Sequence, residues 1–82
     1  MRIDQFLKKT MLFKQREIVK ELCDKRFVKI NGQYTKPSKH VSVGDIIEIE
    51  TLKGQKQYRV VSIPSGNVKK NESGLYYREM DN

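Results

Sequence analysis

The sequence contains a single cysteine, no tryptophan and no apolar run that approaches the length of a membrane span. One cysteine excludes an intrachain disulfide and a cysteine-based zinc site, and it fits a reducing compartment. A membrane span needs about 20 consecutive apolar residues. The N-terminus enters charged residues at once, without an apolar stretch of signal-peptide length. We therefore expect a cytoplasmic protein with no membrane partner.

Residues with catalytic or metal-binding chemistry are also scarce. His40 is the only histidine, so a metal site that needs two histidines is excluded. The five glycines are scattered singly, and none belongs to a phosphate-cradling loop. A chain of 82 residues has little room for an enclosed active site beside a core. The sequence therefore predicts a protein that is not an enzyme and has neither a metal nor a cofactor.

The basic residues are concentrated towards the N-terminus. Residues 1–30 carry nine Lys/Arg against four Asp/Glu, residues 31–63 carry five against three, and residues 64–82 carry three against three. The net charge of +7 therefore lies mostly in the first part of the chain. This distribution indicates a basic patch, which favours a nucleic-acid partner and less often an anionic membrane or an acidic protein.

The spacing of apolar residues predicts two short amphipathic helices, at about 3–9 and 15–24. Arg16 and Lys20 lie one turn apart in the second helix, along one border of its apolar face. The acidic residues of that helix lie on the far side. The predicted apolar face consists of four residues: Ile18, Val19, Leu22 and Cys23.

Alternating apolar residues predict strands at 28–30, 33–35, 46–51 and 57–63. Asn31-Gly32 is a strong hairpin signal, because both residues tolerate positive φ. The pattern indicates an α+β fold in which two short N-terminal helices pack on a small antiparallel sheet of three to four strands. This domain would span residues 1–63, followed by a short tail at 64–82. The tail contains an apolar island of Leu75, Tyr76, Tyr77 and Met80. A docked helix at 74–80, a mobile segment and a segment that orders only on a partner are all open for it.

The candidate RNA-binding residues are basic side chains of the helical region and of the loop after the hairpin. Arg16 is the strongest candidate and Arg2 the second, because a guanidinium can form two hydrogen bonds with phosphate or stack on a base. For a single lysine, solubility is an equally good explanation. Tyr34 is a candidate for base stacking, although a hairpin tyrosine more often packs on its neighbours. The predicted site residues are Arg2, Lys8, Lys9, Lys14, Arg16, Lys20, Lys36 and Lys39.

Beside the basic second helix, four segments resemble the RNA-binding domain first described in small-subunit ribosomal protein S4: Arg2-Ile3-Asp4, Phe6-Leu7, Val28-Lys29-Ile30-Asn31-Gly32 and Val43-Gly44-Asp45-Ile46. The resemblance covers about residues 1–50 and implies the fold of that family, the alpha-L motif. It also implies that Arg2 and Arg16 occupy RNA-contacting positions. Two positions depart from the family pattern. Lys25-Arg26-Phe27 stands where relatives often have a glycine, and Met11 stands where they often have Arg or Ser.

Stand-alone copies of this domain resemble two bacterial groups. One is a heat-shock protein that binds stalled large subunits carrying peptidyl-tRNA, and the other is the RqcP group of ribosome-associated quality control factors. The short chain and the helix end Glu21-Leu22-Cys23-Asp24 are most similar to the second group. That resemblance implies binding to rRNA of the large ribosomal subunit and to P-site peptidyl-tRNA. It further implies support of C-terminal tailing of the nascent chain by an RqcH-type partner. We expect a monomer.

Three alternative functions remain open. The first is a heat-shock-type recycling role on the same particle. The second is a detached targeting domain that needs a separate catalytic partner. The third is an adaptor for an acidic protein, with its main contact through residues 75–80. DNA binding is possible on charge alone, but no recognition helix with base-reading Asn or Gln stands out.

Overall fold

The computed structural model describes residues 1–80. Two helices precede a five-stranded antiparallel sheet with the strand order β2-β1-β3-β4-β5. A short 3-10 helix lies between the last two strands. In this part of the chain, no helix has the length and apolar character that crossing a membrane requires. The elements are α1 (Ile3–Lys9), α2 (Arg16–Asp24), β1 (Val28–Ile30), β2 (Gln33–Tyr34), β3 (Ile46–Thr51), β4 (Gly54–Val60), the 3-10 helix (Lys70–Leu75) and β5 (Tyr77–Met80).

A single core joins the helices to one face of the sheet. β1 pairs with β3 so that Val28 faces Ile49 and Ile30 faces Ile47, which places four β-branched side chains side by side. The predicted α+β fold is confirmed, with one strand more than expected. The core residues are Ile3, Phe6, Leu7, Val19, Cys23, Val28, Ile30, Val41, Ile47, Ile49, Tyr58 and Val60.

The apolar face of α2 is narrower than predicted. Val19 and Cys23 are buried and Leu22 is partly buried against the core, but 39% of Ile18 is exposed. Burial raises the pKa of the Cys23 thiol from 9.0 to about 11, and the carboxylates of Asp24 and Asp4 act in the same direction. The thiol therefore stays protonated at neutral pH, and Cys23 is a packing residue, as the sequence indicated.

The hairpin turn at Asn31-Gly32 is confirmed, and it also fixes a second turn. Both residues have positive φ, 50° and 83°, as a two-residue hairpin requires. The Asn31 side chain accepts a hydrogen bond from Ile46 N at 2.9 Å and donates one to Asp45 Oδ1 at 3.1 Å. Asp45 Oδ2 in turn accepts from Ser42 N at 2.8 Å. The β1–β2 turn is thus tied to the start of β3.

Helix α2 ends without glycine because Arg26 takes the left-handed conformation, with φ of 61°. Arg26 N donates to the carbonyl of Cys23 at 3.0 Å, and Phe27 N donates to the carbonyl of Leu22 at 2.9 Å. These two bonds form a Schellman motif, in which glycine usually occupies the left-handed position. Arg26 is therefore strained, since its Cβ approaches the following carbonyl oxygen.

The free energy of unfolding of Arg26→Gly is expected to exceed that of Arg26→Ala by about 0.5 to 1 kcal/mol, since both variants lose the contact of the guanidinium with Tyr34 and only alanine keeps the Cβ. Relief of the left-handed conformation contributes about 1 to 2 kcal/mol, and the greater freedom of glycine in the unfolded chain offsets about 0.4 to 1 kcal/mol of this. Urea denaturation measures the difference. Lys25→Gly is the control, because Lys25 has an ordinary φ of −84° and should lose stability. An Arg26→Gly variant less stable than Arg26→Ala would contradict the strain.

The predicted bounds of the last strand are wrong in part. β4 begins at Gly54 and ends at Val60, whereas we expected 57–63; the turn glycine already pairs with Thr51. Of the states left open for the tail, the docked helix at 74–80 is not observed, because Tyr77–Met80 pairs with β4 as an edge strand. Tyr77 packs edge-on against Tyr58, with ring centroids 5.6 Å apart. The part of the prediction that falls on residues 81–82 lies outside the described residues.

Candidate nucleic-acid interface

The two arginines that the sequence singled out meet at a buried carboxylate. Asp4, in the first turn of α1, is fully buried. Its Oδ2 atom accepts hydrogen bonds from Arg2 Nη2 and from Arg16 Nη2, each at 3.2 Å. Its Oδ1 atom accepts from Gln5 N at 2.7 Å. Asp4 therefore holds the starts of α1 and α2 together, and it places both guanidinium groups at one point of the surface.

Each guanidinium keeps donors available to a ligand. An arginine carries five N–H donors, and the ion pair with Asp4 uses one of them on each side. The Nε atoms of both residues are buried without an acceptor, so the free donors are those of the Nη atoms. The side chains of Arg2 and Arg16 are 41% and 39% exposed. One carboxylate between two guanidinium groups leaves a net charge of +1, with two planar forks that fit phosphate oxygens.

The loop after the hairpin is fixed beside this pair of arginines. Ile3 N donates to the carbonyl of Lys39 at 2.7 Å, and Asp4 N donates to the carbonyl of Pro37 at 3.2 Å. These bonds satisfy the first amide groups of α1 with loop carbonyls, at the end of a helix where donors lack partners. The backbone of Lys36-to-Lys39 thus lies against the start of α1, near Arg2. His40 contacts the N-terminal amino group through Nδ1 at 3.3 Å.

The remaining predicted lysines are distributed around the helices. Lys8 and Arg16 line one open cleft, together with Gln15 and Glu17. Lys9 instead donates to the carbonyl of Gly66 at 3.3 Å, so it reaches towards the chain after β4. Asp4 brings Arg2 and Arg16 together. Lys8 lies near Arg16 because both line the same cleft. Lys36 and Lys39 lie near Arg2 because the backbone of their loop is bonded to the start of α1. Lys14 and Lys20 are exposed on α2 and its approach.

Asp4 is the residue that sequence reasoning missed. Asp4 lies in the first turn of α1, where a carboxylate suits the positive end of the helix dipole. Its full burial and its bond to Arg16, twelve positions away, were not foreseen. A weak signal was present, since Asp4 is the only acidic residue among the first sixteen and stands two positions after Arg2.

Comparison with known proteins identifies the family of this chain. Residues 1–47, which contain α1, α2 and the β1–β2 hairpin, match the S4 domain. The chain belongs to the S4 domain family. A Helicobacter pylori protein named RQC P-site tRNA stabilizing factor is 40% identical over 77 residues, which cover 93% of this chain and 92% of that protein. A Bacillus subtilis protein of the same name is 38% identical over 78 residues, which cover 94% of this chain and 88% of the relative.

Solved structures show the same S4 domain fold over nearly the whole chain. The trimeric structure of Vibrio cholerae heat-shock protein 15 superposes with a TM-score of 0.87 at 28% identity. It covers 98% of this chain and 81% of the other. The solution structure of a hypothetical protein superposes with a TM-score of 0.85 at 36% identity, covering 100% of this chain and 99% of the other. The edge strand β5, which follows the S4 domain match, therefore lies within the length shared with both neighbours.

Proposed function

We propose that this chain is a non-enzymatic, cytoplasmic RNA-binding factor of bacterial ribosome-associated quality control. It would bind rRNA and P-site peptidyl-tRNA on stalled large ribosomal subunits and support C-terminal tailing of the nascent chain by an RqcH-type partner. The observation that carries the proposal is the convergence of Arg2 and Arg16 on buried Asp4, beside the docked loop with Lys36 and Lys39. The relatives named RQC P-site tRNA stabilizing factor support it over almost their full length.

The mechanism is electrostatic docking of a preformed surface onto structured RNA. The arginine forks and the surrounding lysines meet phosphate oxygens and release counterions, so affinity should fall steeply with salt. A-form grooves hide most base edges from side chains, so the shape of the surface and its spacing of charges supply selectivity. Because Asp4 fixes both guanidinium groups before binding, little side-chain freedom is lost when RNA arrives.

The heat-shock-type recycling role is the second candidate, favoured by the superposition on Vibrio cholerae heat-shock protein 15. The two roles differ in the product, because only the quality-control role lengthens the stalled chain.

The adaptor hypothesis receives less support, since Tyr76 and Tyr77 of the proposed contact island pack against the core. The structure of Vibrio cholerae heat-shock protein 15 is trimeric, whereas we propose that this chain is a monomer. Sedimentation equilibrium of the isolated chain would test this.

The first test is sedimentation of the tagged chain through sucrose gradients of cell lysate, with a blot for peptidyl-tRNA. We expect co-migration with large subunits that retain peptidyl-tRNA at low salt and a reduced bound fraction at moderate salt. Protein that stays at the top of the gradient in both salts would contradict ribosome binding. Adding the chain to stalled subunits with the RqcH-type partner should then increase the tail length on the nascent chain. Unchanged tails with retained binding would favour the recycling role.

A further inference from the structure

Tyr34 is an exposed aromatic ring that the proposed phosphate contacts do not use. It lies in β2 directly across from Lys29 of β1, and 57% of it is exposed. Tyr58 is buried, and Tyr76 and Tyr77 pack against the core. Tyr34 is therefore the most exposed aromatic side chain among residues 1–80, although burial of its ring would have contributed to stability.

Two cations contact the Tyr34 ring, one from β1 and one from the end of α2. Lys29 Nζ lies 4.9 Å from the ring centroid, and the guanidinium carbon of Arg26 lies 5.9 Å from it. Both distances fall within the range of cation–π attraction. Arg26 reaches this position from the strained residue that ends α2. The ring is thus restrained in place while much of its surface stays open to solvent.

Beside the ring, a cleft of about 320 Å³ separates the hairpin from the docked loop. Ile30, Gln33 and Ser38 also line this cleft. Lys36 and Lys39 stand on the loop side of the same cleft. Lys39 also connects the cleft to the arginine pair, because its carbonyl accepts the bond from Ile3 N.

We propose that this cleft, defined by Tyr34, Gln33, Lys36 and Lys39, holds one unpaired base of the bound RNA. The base stacks on the Tyr34 ring, and its flanking phosphates contact the two lysines. This inference rests on the proposed RNA-binding function and adds a ligand class to it: a bulged or looped nucleotide next to a helical stem. Sequence-tolerant stacking on an aromatic ring beside a basic groove is how proteins bind single-stranded nucleotides.

The combination of groups favours an unpaired nucleotide over a regular duplex or a free anion. A duplex presents phosphates to Lys36 and Lys39 but keeps its bases stacked inside the helix, so the Tyr34 ring would stay without a partner. A free anion would use the lysines and leave the ring unused. In a nucleotide whose base is turned out of the stem, the base can stack on the Tyr34 ring while the flanking phosphates contact Lys36 and Lys39.

The test compares two RNA hairpins that differ by a single unpaired 2-aminopurine in the stem. The proteins are the wild type, Tyr34→Phe, Tyr34→Leu and Tyr34→Ala. We expect the wild type to bind the bulged hairpin more tightly than the regular one and to quench its fluorescence. Tyr34→Phe should retain both effects. Tyr34→Ala and Tyr34→Leu should lose the quenching and about tenfold in affinity for the bulged hairpin only, as removal of one stacking ring typically does.

The outcomes separate this inference from the proposed function. Equal affinities of the wild type and the Leu variant for the bulged hairpin, with retained quenching, would overturn the stacking site and leave phosphate binding intact. A wild type that binds neither hairpin at low salt would overturn the proposed function itself. Tyr34→Leu keeps an apolar side chain on an exposed edge strand, so the comparison stands even where Tyr34→Ala loses stability. Thermal unfolding of each variant checks this.

Discussion

Replacing Asp4 with alanine is expected to lower the free energy of unfolding by about 2 kcal/mol. Removing one partner of a fully buried ion pair usually costs about 3 to 5 kcal/mol, because an uncompensated charge stays buried. Here the cost is smaller, since Arg2 and Arg16 are 41% and 39% exposed and can turn their charge towards water. The variant also removes the acceptor of Gln5 N. Chemical denaturation measures the loss.

Two further variants make the stability measurement specific. Asp4→Asn keeps the volume of the side chain and an oxygen acceptor but removes the charge, so its stability should lie between those of the wild type and Asp4→Ala. Glu17→Ala removes an exposed acidic residue from the first turn of α2 and should change stability by less than about 0.5 kcal/mol. An Asp4→Ala variant as stable as Glu17→Ala would mean that the arginine bonds to Asp4 do not contribute to the fold.

The same variants decide whether Asp4 positions the arginines for RNA. If net charge alone decided affinity, Asp4→Asn would bind RNA more tightly, because it removes a negative charge next to the RNA phosphates. Loss of the anchor has the opposite effect, since each freed arginine would cost about 0.5 to 1.5 kcal/mol to reorder on binding. The repulsion that disappears is the smaller effect, because two guanidinium groups already neutralise the Asp4 carboxylate. We therefore expect weaker binding, by a few fold, under conditions where Asp4→Asn is folded.

Local patterns in the sequence were sufficient for the elements that carry the arginines. The helix at Ile3–Lys9 and the strand at Val28–Ile30 have the predicted bounds, because their apolar periodicity is regular and Asn31-Gly32 fixes the hairpin between the first two strands. The α2 helix begins one residue later than expected, at Arg16. These elements were readable because each depends on neighbours a few positions away.

The misplaced features depend on partners far along the chain. Tyr77 and Met80 are spaced three apart, which fits a helix, and they become a strand only because β4 offers a free edge. Asp4 and Arg16 are twelve residues apart, and no local period relates them. The docking of the loop onto α1 decides which basic residues share one surface. This tertiary contact could not be predicted from the composition or the spacing of charges.

Replacing Arg16 with alanine is expected to weaken RNA binding by about ten- to a hundredfold. Hydrogen bonds to a charged group contribute about 1.5 to 3 kcal/mol, and a fork that pairs with phosphate makes such bonds. The variant also leaves Asp4 with Arg2 alone, so the remaining guanidinium is held more tightly by the carboxylate. The slope of log affinity against log salt should fall in magnitude by about 1, as one phosphate contact disappears.

Lys53→Ala is the matched control, because it removes the same charge from the turn between β3 and β4, outside the Arg2–Asp4–Arg16 cluster. We expect it to leave the affinity for RNA within about twofold of the wild type, since an isolated exposed charge contributes little. Arg16→Lys should be intermediate, as it keeps the charge and loses the planar fork. Equal affinities of Arg16→Ala and Lys53→Ala would remove α2 from the interface. A difference between them would show that RNA binding depends on where the positive charge lies, because both variants carry the same net charge.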